Sequence, residues 1–408
     1  MLLSFYVIMH VFTIIPSESE IVIKLREQIN VYGLIFHFLS AAAFIFGAHM
    51  AMHSYHYYGT KKKFYMKRPR LFSFLIYSYC IVGIGVVVWQ ISLSVSLTDY
   101  MRELATYIEV QDDSCEIRNY FLRTREAGGL PGIVKMFSYL PLSALYLVLA
   151  YMSIRDKTGA QPHISQISKS KKYVLAILIT IFVRSIFTLD RIVLVAPFLI
   201  LIYYAILSSK EYGRPIRNLR KKLLRTLAIL TIFAAFLHVI CSVRQSIGFK
   251  DVLAEYSSLG LANLSILFES NIDYTLGQNL SYAISFPLEY IGLADALFAP
   301  DKAPWVWNPA RYLTAYAYQD FGSFCILFFF VFGFFTTIIH LKAWYKSNPY
   351  ILIMLFALIL CIATSIVVPI FRGPEWWASL LMAMVGMKLT CGRTSVTNPQ
   401  EQKVSNEH

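Results

Sequence analysis

Long apolar runs separated by short charged stretches set the rhythm of this chain. The runs cover residues 1–16, 31–52, 71–97, 133–154, 173–189, 192–208, 223–243, 323–341, 349–371 and 375–391. Each is near the roughly 20 residues that an α-helix needs to cross a bilayer. The pattern predicts an all-α, polytopic integral membrane protein with about ten transmembrane helices. One long segment breaks the rhythm. Residues 244–322 are polar and aromatic, and carry charges from Arg244 to Asp320. The chain therefore divides into a transmembrane bundle at 1–243, a large external loop at 244–322, further spans at 323–391 and a polar tail at 392–408 that is expected to be disordered. Within the loop, residues 249–268 alternate apolar and polar positions at helical spacing, which predicts an amphipathic helix lying on the outer surface. Residues 17–30 and 98–131 read as charged loops.

Composition agrees with the pattern. Hydrophobic residues make up 57% of the chain and charged residues only 15%, with a mean hydropathy of +0.55. Soluble domains carry about 25% charged residues. The net charge of +13 would suit a nucleic-acid partner. Its distribution excludes one, because the basic residues cluster between apolar runs, as at Lys61–Arg70, Arg155–Lys172 and Lys210–Lys222. Such clusters set topology against an anionic leaflet. They place the N- and C-termini in the cytoplasm and the long polar segment outside. The first run ends at Pro16-Ser17 without a small-residue cleavage site, so it reads as a retained span. The six cysteines are scattered and form no C-x-x-C pair, which makes them small buried hydrophobes rather than ligands.

Two constellations could carry chemistry. The first is a set of arginines at the outer ends of spans: Arg191, Arg244, Arg311 and Arg372. Arg184 lies seven residues before Arg191 on the same helical face. An arginine at a span edge is costly and usually faces a partner or a wet cavity. Guanidinium groups converging outside the bilayer suit a lipid-linked diphosphate. Each taken singly also fits a helix-end anchor, or an ion pair such as Asp190 with Arg191. The second is a set of external carboxylates, Asp273, Glu289 and Asp320, any of which could serve as a base or simply be solvated. His238, near the outer end of the seventh run, is either an acid–base group or a packed neutral histidine. Tyr290, Trp305, Trp307 and Tyr318 fit sugar stacking, and equally fit an interfacial aromatic belt. His49, His53 and His56 have metal-ligand spacing but no carboxylate or Cys beside them, so no metal is expected. No phosphate-cradling loop, GxSxG or D-x-D motif occurs, and no cofactor is expected.

From about residue 173 to 391 the chain resembles the Wzy-type oligosaccharide repeat-unit polymerases, the O-antigen polymerases. The resemblance rests on ordered short motifs. Thr188-Leu189-Asp190-Arg191 precedes a span, and Arg244-Gln245-Ser246-Ile247-Gly248 opens the large loop. Phe286-Pro287 leads to Pro300-Asp301-Lys302-Ala303-Pro304, and Tyr318-Gln319-Asp320-Phe321-Gly322 opens the next span. Arg311 and Gly322 are separated by ten residues, and Arg372-Gly373 forms a late turn. The earlier spans match only in being spans. The spacing of Arg, ten residues and Gly does not recur after Arg184, Arg191 or Arg244.

The resemblance implies a metal-independent glycosyltransferase at the periplasmic face of the bacterial cytoplasmic membrane. Its donor and acceptor would both be polyprenyl-diphosphate-linked oligosaccharides. Membrane lipids would surround it, and a chain-length regulator protein is a further candidate partner. The arginines would hold the diphosphate leaving group, a loop carboxylate or His238 would be the base, and the loop aromatics would hold sugars. An O-antigen ligase shares the donor and much of the architecture. A transporter or flippase for a lipid-linked substrate would instead show internal repeats and charges deep in several spans. No repeat is evident here. A non-catalytic envelope scaffold would use the loop as a docking surface. Two Asn-x-Ser sequons, at Asn263 and Asn279, lie in that loop. Replacing Arg191, Arg244 or Arg311 by Ala should each abolish polysaccharide laddering without lowering membrane abundance; unchanged ladders in all three would exclude a diphosphate clamp.

Overall fold

The computed structural model describes residues 20–55, 63–93, 96–102, 132–158, 164–188, 197–204, 249–270, 274, 280, 313–346, 348–364 and 373–394. These are mostly helical. In chain order the elements are α1 (Glu20–Glu27), α2 (Val31–Ser54), β1 (Lys63–Met66), α3 (Pro69–Ser92), α4 (Gly132–Met136), a 3-10 turn (Phe137–Tyr139), α5 (Leu140–Thr158) and α6 (Ile164–Thr188). Then follow α7 (Phe249–Glu269), α8 (Leu313–Phe321), a second 3-10 turn (Gly322–Phe324), α9 (Cys325–Lys346), α10 (Pro349–Thr364), α11 (Pro374–Thr390) and β2 (Cys391–Thr394). Short helical pieces also occur at 97–102 and 197–204.

Four stretches among the described residues are long and apolar enough to cross a bilayer: Val31–Ser54, Pro69–Ser92, Val134–Ser153 and Leu313–Ala343. On Pro69–Ser92 the outward face is as apolar as the inward one. On α3, Phe72, Ile76, Tyr79, Cys80 and Val87 point inward, while Phe74, Ile81 and Trp89 are exposed. A helix that is hydrophobic all round belongs in lipid or in a large core. Helix starts follow simple rules. Pro69, Pro349 and Pro374 each open a helix, where the missing N–H has no intrahelical partner to lose. Asn30 caps α2, its side chain accepting a hydrogen bond from the Gly33 N–H at 2.7 Å.

The helices form two packed groups. In the first, α5 lies at the centre, and Ala144 through Ala150 are each 0% exposed. Around it stand α3, α6, α10 and α11, which share one apolar core. The second group joins α2, α7, α8 and α9 around Phe36, Phe44, Leu264, Tyr318 and Phe329. Ile362 of α10 reaches this second core and so links the two groups.

The closest approach is between α2 and α9. A Cβ on Gly47 would lie 2.0 Å from the Phe330 carbonyl oxygen, and one on Gly333 would lie 2.1 Å from that of Phe44. No other residue type fits at either position without separating the backbones. This is the small-residue device by which helices associate where solvent gives no hydrophobic drive.

Several expectations change. Residues 17–30 read as a loop, yet Glu20–Glu27 is helix α1. The helix expected at 249–268 forms as α7, but it does not lie on a free surface, because residues 258–265 are all buried. Protein in place of water covers its polar residues Ser258, Asn263 and Ser265. Leu25 of α1 packs on Leu259 and Ala262, and the Arg26 Nε donates to Ser258 Oγ at 3.4 Å. The Asn263 sequon is thereby buried, at 0% exposure. Residues 313–321, at the end of the segment read as an external loop with surface helices, form helix α8, which is buried from Leu313 to Asp320. The expected tail begins as strand β2. It pairs antiparallel with β1, Lys63 opposite Thr394 and Met66 opposite Cys391. Cys80, Cys325 and Cys361 are free and buried, as small hydrophobes are. The runs at 1–16 and 223–243 lie outside the described residues.

Gly47→Leu or Gly333→Leu should cost about 3 kcal/mol or more by forced overpacking. Gly85→Ala should be neutral or mildly stabilising, since nothing lies within 4 Å of its Cβ position. Thermal unfolding of the detergent-solubilised protein distinguishes these outcomes.

Candidate functional site

The buried face of α2 carries a polar stripe at helical spacing, Asn30, His37 and Ser40, with Gly33 within it. The stripe faces α7 and α8. Asn30 donates its backbone N–H to Ser265 Oγ at 3.0 Å, and its side-chain amide to Ser265 O at 3.1 Å and Glu269 Oε1 at 2.9 Å. The start of α2 is thereby clipped to the end of α7. Two turns further, His37, only 2% exposed, shares a hydrogen bond of 3.2 Å between Nδ1 and Thr314 Oγ1 of α8. A histidine inside an apolar helix is costly without such a partner.

An open cavity of about 420 Å³ lies beside this clip, lined by Asn30, Val31, Tyr32, Phe268 and Glu269. Phe268 connects it to α8. Its ring stacks on Tyr318 with centroids 4.3 Å apart and planes at 26°. Tyr318 also meets Phe36 and Tyr274 edge-on, at 5.1 and 6.3 Å. Helices α2, α7 and α8 thus place aromatic rings beside a cavity that carries a carboxylate, Glu269, in its lining.

Asp320 anchors the other side of α8. It is 0% exposed, and its Oδ2 accepts the Leu280 N–H at 2.8 Å. The next residue but one, Gly322, has φ of +55°, a left-handed conformation that favours glycine. A Cβ there would also meet the Tyr274 ring at 2.8 Å. Asp320 and Gly322 therefore hold the polar segment, through Leu280 and Tyr274, against the break between α8 and α9.

Arg184 sits in the other group of helices. It is 4% exposed, with its guanidinium carbon 4.3 Å from the centre of the Tyr139 ring. Its Nη2 donates to Ser138 Oγ at 3.4 Å. It lies twelve residues after Lys172 on α6, roughly 18 Å along the axis. The Tyr100 hydroxyl, from the piece at 97–102, donates to the Phe187 carbonyl and closes over this end of α6.

Of the residues singled out from sequence, Tyr318 and Asp320 lie two positions apart on α8 and face different partners, Phe268 and Leu280. No contact among the described residues joins Arg184 to them. Glu289, Asp273, His238, Arg191, Arg244, Arg311, Arg372, Trp305, Trp307 and Tyr290 lie outside the described residues. His56 does too, while His49 and His53 are exposed with ring centroids 4.4 Å apart. No group of three or more potential metal ligands occurs among the described residues. Sequence reasoning missed Asn30, His37 and Glu269 as site residues. For Asn30 and His37 the signal was present: with Ser40 they are polar at i, i+7 and i+10 where an otherwise apolar run opens.

Comparison with protein-family models, curated proteins and solved structures finds no match. The fold and the site's own geometry therefore carry the functional argument.

Asp320→Ala leaves the Leu280 N–H without its acceptor and should cost about 1–3 kcal/mol of stability. Asp320→Asn keeps an acceptor oxygen and should unfold within about 1 kcal/mol of the unsubstituted protein. Paired thermal melts test this, and equal losses in both variants would show that the charge, rather than the hydrogen bond, holds the segment.

Proposed function

We propose that this chain is a membrane glycosyltransferase that polymerises polyprenyl-diphosphate-linked oligosaccharide repeat units into an O-antigen type polysaccharide. It belongs, on this reading, with the Wzy-type polymerases and works at the periplasmic face of a bacterial cytoplasmic membrane. About ten spans would carry both termini in the cytoplasm, with residues 244–322 outside.

One observation carries the reading. At the start of α2 the polar segment folds back onto the helices, and there a cavity has a carboxylate in its lining and stacked aromatic rings beside it. Sugars are bound by such pairings of flat apolar faces with hydrogen-bonding carboxylates. The apolar helices below would hold the lipid tails of donor and acceptor.

The reaction needs few parts. A base accepts the proton of the acceptor's hydroxyl as its oxygen attacks the anomeric carbon of the donor. The bond from that carbon to the diphosphate oxygen breaks, and the growing chain passes to the acceptor. The negative charge left on the lipid diphosphate is stabilised by guanidinium groups. Arg191, Arg244, Arg311 and Arg372 are the candidates for that role. Arg184, already committed to Tyr139 and Ser138, would support them from the bundle. Glu289, Asp273, Asp320 and His238 remain the candidate bases. Glu269 joins them as the carboxylate that lines the cavity.

Deleting the gene in a polysaccharide-producing host should leave single-repeat glycans in place of ladders. Unaltered ladders would overturn the proposal. Long chains that persist on the lipid carrier without attachment would mark a ligase instead.

A further inference from the structure

At one end of the first helical group, three cationic segments far apart in sequence meet. Lys67, Arg68 and Arg70 lead into α3, Lys171 and Lys172 lie early in α6, and Lys388 lies in the last turn of α11. Two sets of contacts join them. The Thr390 carbonyl accepts the N–H groups of Lys67 at 2.8 Å and Arg68 at 3.1 Å, in line with the β1–β2 ribbon. The Tyr173 hydroxyl shares a hydrogen bond with Ser73 Oγ, and its ring packs edge-on to Phe72 and Tyr77.

All six cations are exposed, and they make no ion pair among the described residues. Glu375, the described acid of α11, lies thirteen residues before Lys388, roughly 20 Å along the helix. Lys388 by itself is explained by the negative end of the α11 dipole. The other five are not at a helix C-terminus. Beside the cations the surface turns apolar: Phe74, Tyr77 and Leu389 are 65, 46 and 45% exposed. Tyr65 of the ribbon is 49% exposed at the same level, as an interfacial aromatic would be.

We propose that this ribbon-bound platform is a binding site for anionic glycerophospholipid. The lipid phosphate sits among Lys67, Arg68, Arg70, Lys171, Lys172 and Lys388, and the acyl chains run along Phe74, Tyr77 and Leu389. A diffuse attraction between basic loops and an anionic leaflet needs no fixed geometry. Here the backbone bonds of Thr390 and the Ser73–Tyr173 contact fix the segments that carry the cations relative to one another, beside the exposed apolar side chains of Phe74, Tyr77 and Leu389. The proposal does not depend on the glycosyltransferase reading.

The test uses the full chain purified in uncharged detergent. Its unfolding temperature is measured with phosphatidylglycerol, with phosphatidylcholine, and with inorganic phosphate at matched ionic strength. Phosphatidylglycerol should raise it by several degrees, and the other two should not. Replacing Lys67, Arg68 and Arg70 by Gln should remove most of that shift while leaving the lipid-free melt unchanged. Lys171→Gln with Lys172→Gln, about a hundred positions away, should reduce the same shift. An equal response to phosphatidylcholine, a response to phosphate alone, or a full shift in either variant set would overturn the assembled site.

Discussion

Gly47 and Gly333 let two helix backbones touch with no side chain between them. Each glycine lies against the other helix's carbonyl, at Phe330 and Phe44. Much of the second helical group depends on this contact. With α2 drawn onto α9, the residues before the crossing on α2 (Phe36, His37) meet the helix that precedes α9, at Tyr318 and Thr314. A bulkier residue at either glycine would open the seam and withdraw the polar stripe of α2 from its partners on α7 and α8. The glycines therefore act on the candidate site from a distance of about three helical turns.

The first group solves a different problem. Helix α5 is encircled and contributes no exposed surface from Ala144 to Ala150. It is the axle around which α3, α6, α10 and α11 are set. Arg184 is tolerated within this group because Tyr139 offers a π-face and Ser138 an acceptor. A buried guanidinium held this way is positioned as well as neutral packing would allow, since both partners belong to a 3-10 turn continuous with the central helix. Ile362 ties this rigid group to the other, so a substrate held at α2, α7 and α8 would sit against a fixed frame.

The junction where Asp320 holds Leu280 shows why a long polar segment can matter in a membrane protein. A backbone N–H brought to the edge of an apolar bundle needs an acceptor. Asp320 supplies it, and Gly322, in a left-handed conformation, marks the junction from α8 to α9. The segment is thereby fastened where aromatic faces, carboxylates and lipid would meet.

The sequence by itself determined the apolar helices. The runs at 31–52, 71–97, 133–154, 173–189, 323–341, 349–371 and 375–391 all contain helix where described, because length and hydropathy are local properties of the chain. It also marked Asp320, Tyr318 and Gly322, which a break between a polar helix and an apolar run makes conspicuous. Tertiary structure alone decided the rest. Periodicity cannot say what covers a polar face, and on α7 the cover is supplied by α1 and the start of α2. Strand β2 is four residues with no hydrophobic signature, and it exists because β1 offers its backbone groups. The pairing of Asn30 with Glu269, of His37 with Thr314 and of Gly47 with Phe330 joins positions hundreds of residues apart. Such contacts are set by how helices cross, and no local pattern encodes a crossing.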